Sequence, residues 1–155
     1  MKPIVYRGGI ITFRVPATWK EEYEAEGGGT FYDDRPDSGT LRLNVLTFKA
    51  PEGKPAVDGY AHFAATPLKE GERLIRTPNG DGLKLSKKSA EERGTKIDLY
   101  SWQLAHSAPP EKFYIASFTW TILASQSSDR KFQQEMAFLI DEISRAQFHP
   151  DLGKL

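Results

Sequence analysis

The chain has 155 residues, balances 21 lysines and arginines against 21 aspartates and glutamates, and contains no cysteine. That length suits one domain, residues 1–155, whose core needs neither disulfide nor metal. Zero formal charge offers no global field for a nucleic acid or an acidic membrane, and the missing thiols exclude cysteine catalysis and cysteine-ligated zinc.

In chain order, residues 4–15 read as a strand pair around Gly8-Gly9, with Ile11, Phe13 and Val15 on one face. Pro16 ends it, because proline has no N–H for the ladder, and residues 17–24 are expected to form a short helix in which Trp19 and Tyr23 share a buried face. Residues 30–34 and 40–49 form a hairpin across Arg35-Pro36-Asp37-Ser38-Gly39. In its longer strand Leu41, Leu43 and Val45 share one parity, while Leu46 and Phe48 fall on the other. That phase change predicts a bulge or a stretch covered on both faces.

Residues 51–55 read as a loop, and Asp58 as the cap of a helix carrying Tyr60, Phe63 and Ala64 that stops before Pro67. Residues 72–77 and 83–89 form a polar hairpin around Pro78-Asn79-Gly80-Asp81-Gly82. Two long strands then meet at Ala108-Pro109-Pro110-Glu111. In the second, Tyr114, Ala116, Phe118, Trp120 and Ile122 face one way while Ser117, Thr119 and Thr121 face the other. A closing helix, capped by Ser128 or Asp129, carries a stripe of Phe132, Met136, Leu139, Ile140 and Ile143 that must lie on an apolar strand face. The expected fold is α+β: an antiparallel sheet of about six strands flanked by helices, an α/β/α sandwich.

No motif assembles a reaction centre. The turn from Asp33 to Gly39 holds carboxylates suited to a hard cation but lacks a calcium-loop spacing. His62, His106 and His149 are not paired at metal-ligand spacing, and His149 suits the negative end of the closing helix. Gly27-Gly28-Gly29 and Gly80-Asp81-Gly82 complete neither the dinucleotide fingerprint nor a phosphate loop, and no serine lies in a nucleophile elbow. Lys84, Lys87, Lys88 and Arg93 are interleaved with Asp81, Glu91 and Glu92, as on a solvated hairpin. Tyr100 and Trp102 lie on the opposite parity from Ile97 and Leu99, so one of these faces is expected to expose apolar surface.

The run Ile11-Thr12-Phe13-Arg14-Val15-Pro16-Ala17-Thr18-Trp19 resembles the opening of the PsbP-like superfamily, which includes a photosystem II extrinsic protein, a Ran-binding nuclear import factor and bacterial DcrB-type proteins, some of them type VI effector chaperones. The order of elements is similar too. The resemblance implies an antiparallel sheet between helices and action by binding other proteins, and it supplies no catalytic residue and no cofactor.

The sequence thus points to a non-catalytic protein-binding module, an adaptor or chaperone-like protein of a bacterial system, with Trp19, Tyr60, Phe63, Tyr100 and Trp102 as aromatic anchors. No metal, nucleic acid or membrane span is expected, the setting is cytoplasmic, and a homodimer through a sheet edge is a candidate assembly. The competing expectation is a small-molecule binder or enzyme with a pocket between sheet and helix, using Asp33, Asp34, His62 or His106.

Overall fold

Alternating apolar residues pair off into two antiparallel sheets in the computed structural model, which describes residues 1–49 and 58–150. β1 (Lys2–Tyr6) and β2 (Ile11–Val15) form a hairpin, and β10 (Gln147–Phe148) adds to the other side of β2. The larger sheet comprises β3 (Lys20–Tyr23), β4 (Gly29–Tyr32), β5 (Thr40–Lys49), β6 (Arg73–Arg76), β7 (Gly82–Glu92), β8 (Thr95–Ala108) and β9 (Lys112–Leu123). Its order is β3-β4-β5-β9-β8-β7-β6. These ten strands replace the single sheet of about six expected from sequence. β3, β4 and β10 are too short to display a period of two, and β2 packs across the large sheet instead of joining it. The loop expected at residues 51–55 lies outside the described residues.

β3 corrects the expected helix at residues 17–24. Trp19 turns inward, 3% exposed, and stacks on Trp120 at 5.7 Å with 5° between the rings. The residues after it then complete a ladder with β4, Lys20 opposite Tyr32. Burial of the indole and that ladder together override local propensity.

One face of the large sheet, here the inner face, presents Leu41, Leu43 and Val45 of β5, Trp102 and Leu104 of β8, and Ala116, Phe118 and Trp120 of β9 to the three-stranded sheet. Phe13 of β2 meets Phe31 and Phe118 edge-on at 5.5 and 5.2 Å. α2 (Arg130–Ser144) closes the same core with Leu139 and Ile143, and Asp129 caps it by accepting from the Lys131 N–H at 2.9 Å.

The outer face carries α1 (Gly59–Ala64), capped by Asp58 as expected. Phe63 packs there with Ala105 and Phe113. A Cβ on Gly59 would lie 1.9 Å from the Ala105 carbonyl oxygen, and one on Gly82 2.6 Å from that of Gly59. Glycine at both positions lets the helix rest directly on sheet backbone.

Candidate functional site

The five aromatic anchors expected from sequence do not form one surface. Trp19, Phe63 and Trp102 are buried at 3, 7 and 1% exposure, which corrects their assignment as exposed anchors: each fills the inner core or the seat of α1. Tyr60 and Tyr100 are half-buried and belong to opposite sides of the large sheet. Tyr60, on α1, lies under the Arg76 guanidinium at 4.5 Å, and Lys87 lies over the Tyr100 ring at 5.6 Å.

The polar candidates are dispersed as well. Asp33 binds Arg35, whose guanidinium also lies 3.5 Å from Glu135, while Asp34 reaches Lys20 at 3.9 Å. His62 tilts over Phe113 at 4.6 Å on the outer face. His106 belongs to the inner side, where it stacks on Phe148 at 4.8 Å and bonds through Nδ1 to the Asp81 carboxylate at 2.6 Å. Asp81 is 5% exposed and its own N–H donates to Thr77 Oγ1. This pair ties the β6–β7 turn to β8. His149 does not cap α2: its ring faces Thr12 Oγ1 at 3.3 Å, and Asn79 Nδ2 instead donates to the carbonyls of Arg145 and Ala146. Arg14 grips the buried Glu142 carboxylate through Nε and Nη2 at 2.9 and 2.8 Å, which raises the arginine's pKa. Among the described residues no three histidine or carboxylate groups converge as metal ligands.

A continuous outer surface emerges where the sequence marked a phase change in β5. All ten residues of β5 pair in register with β9, so there is no bulge, and Arg42, Asn44, Leu46 and Phe48 point outward together. Leu46 is 48% and Phe48 45% exposed, which corrects the expected cover over both faces. Opposite them on β9 stand Ile115 and Phe113, with Phe48 and Phe113 6.5 Å apart. The strip leads into a cleft of about 390 Å³ whose lining includes His62, Phe63, Leu68, Lys84, Gln103 and Ile115. Lys84 stands 3.8 Å from Glu72 and 5.0 Å from the Phe63 ring centre. An apolar floor with a polar rim suits an amphipathic surface of another molecule. Leu46 and Phe48 were legible in the parity of β5; the cleft, assembled from separate elements, left no local signal.

This architecture is the PsbP-like fold shared with Mog1. No protein-family model and no curated protein matches the chain. Among solved structures it is similar to one from Bacteroides thetaiotaomicron VPI-5482, at 17% identity over 96% of this chain, with a TM-score of 0.66. The chain spans 48%, about half, of that protein's length. LpqN, described as involved in cell envelope biogenesis of Mycobacterium tuberculosis, is similar at 14% identity, over 96% of this chain and 90% of its own, with a TM-score of 0.63. A point mutant of Mog1 matches at 12% identity over 95% of each chain, with a TM-score of 0.53. No helix among the described residues is long and apolar enough to cross a membrane.

Proposed function

We propose that the chain is a non-catalytic module that holds a protein partner on the outer face of its large sheet, as an adaptor or chaperone does, in a cytoplasmic setting that suits its lack of cysteine. The observation that carries this reading is the exposed pair Leu46 and Phe48, continuous with Phe113, Ile115 and the neighbouring cleft. Large apolar side chains grouped beside a polar rim favour protein contact over solvent. Tyr60 extends the same face; Trp19, Phe63 and Trp102 support it from within. Among the described residues the scattered titratable groups give no nucleophile, base and oxyanion donor in mutual reach, which favours binding over catalysis.

Affinity capture compares the native chain with a Leu46→Ser/Phe48→Ser double variant of equal thermal stability. Loss of the same captured protein from the variant supports the reading; equal capture overturns it. A second reading, a small ligand in the cleft between α1 and the sheet, is favoured by its volume of about 390 Å³. Under that reading Gln103→Leu, and not the double variant, changes ligand-induced thermal shifts.

A further inference from the structure

We infer that residues 44–49 of β5 receive an extended segment of the partner as an added strand, an inference that rests on the outer-face reading above. β5 pairs with β9 along all ten residues, yet on its other side β4 reaches only to Leu43, opposite Gly29. Among the described residues nothing hydrogen-bonds the remaining edge, about 20 Å of strand. Alternate residues there direct N–H and C=O groups sideways, in the plane of the sheet, with no described partner.

The terminal strands of the same sheet are built differently. β3 carries Lys20, Glu21 and Glu22, and β6 carries Arg73 and Arg76, charges that deter strand addition. From Asn44 to Phe48 β5 has no charge, no proline and no glycine, and Val45, Thr47 and Phe48 favour extended backbone. An open edge of this composition is a template for another strand, with main-chain bonds supplying affinity and alternate side chains supplying selectivity.

The edge selects a single extended segment over a second copy of this chain. A two-fold pairing of two β5 edges would bring each copy's β4 up against Lys49 of the other, whereas one extended segment brings no such neighbour. The segment's chemistry follows from the outward row. Leu46 and Phe48 call for apolar residues at alternate positions. Arg42, exposed and without an ion pair among the described residues, calls for a carboxylate at the β4 end. A cleft of about 270 Å³ opens there between Arg42, Asn44, Ser117 and Thr119, and Glu24, which also lines it, makes no ion pair with Arg42. At the other end Lys49 is already 3.6 Å from Glu111.

Residue-resolved amide exchange tests this with the peptide acetyl-Asp-Thr-Val-Thr-Val-Thr-Asp-amide, whose aspartates and valines share one face, and with two versions N-methylated on its valines or on its threonines. In the free chain, amides within 44–49 should alternate between slow, bonded to β9, and fast. The unmodified peptide should slow the fast set by about tenfold, one of the methylated versions should not, and Arg42→Ala should weaken the effect. Edge amides already slow in the free chain overturn the inference, either as a monomer, where the chain covers its own edge, or as a dimer by sedimentation, where a second copy does. Failure of the peptide to bind overturns it as well. Peptide binding that perturbs the Leu46 and Phe48 side chains while leaving edge amides fast overturns strand addition alone and leaves the outer-face reading standing.

Discussion

The inner and outer faces of the large sheet are made by the same strands, residue by alternate residue, and they differ in what covers them. Along β9, Ala116, Phe118 and Trp120 are fully buried beneath the three-stranded sheet and α2, while Ser117 and Thr119 on the other parity line an open cleft. Along β5 the same alternation separates buried Leu43 and Val45 from exposed Leu46 and Phe48. Apolar residues on the covered face stabilise the fold, whereas those on the uncovered face contribute little to it, and under the proposed function they are the surface a partner would cover.

The largest effect should come from the inner face. Phe118→Ala removes a ring packed edge-on against Phe13 and is expected to lower unfolding free energy by about 3–5 kcal/mol in a denaturant titration. Leu46→Ser/Phe48→Ser, deleting comparable apolar surface from the outer face, is expected to change it by about 1 kcal/mol or less while weakening partner binding by about tenfold or more. Equal destabilisation by the two sets of changes would erase the distinction between the faces.

Gly82→Ala sharpens the comparison on the outer side. The added Cβ would meet the Gly59 carbonyl oxygen and Tyr60 Cα, each at 2.6 Å, and backbone cannot give way unless α1 lifts. A loss of about 1–3 kcal/mol is expected, with Phe63 becoming accessible to solvent quenchers. Asn79→Ala should cost less, about 0.5–1.5 kcal/mol, because it removes bonds to the Arg145 and Ala146 carbonyls just past the end of α2 without opening the core.

How far these differences were readable from the residues depends on which interactions are local. The parity of β9, the α2 stripe and the Asp58 and Asp129 caps are written in consecutive residues, and each is found. Trp19 was expected on a helix because its four-residue spacing from Tyr23 suits one; its stacking partner Trp120 lies about a hundred residues away, beyond the reach of any local pattern. A separation of 25 residues hid the pairing of His106 with Asp81, and the dispersal of the proposed anchors is likewise set by non-local packing. Leu46 and Phe48 were visible as a break in alternation, but whether such residues are covered is settled only by the strands and helices that do or do not reach them. The open edge required knowing where β4 stops.

The smallest effect lies at the rim of the inner side, on α2. Glu135 stands 3.5 Å from Arg35 with 15% of its side chain exposed, and burial raises its pKa above the usual 4.5, partly countered by the guanidinium. Between the usual and the raised value the folded chain keeps a proton that the unfolded chain has released. The stability associated with the protonated group is therefore complete below the unfolded pKa and lost as pH climbs through the folded one. At neutral pH the ionised Glu135 is a net cost, and Glu135→Gln cannot ionise. The variant should melt above the native chain at pH 7, and the gap should close as pH falls to about 4. A variant that melts lower at pH 7 would mean that the Arg35 contact outweighs burial, placing this rim with the solvated surface and not with the covered face.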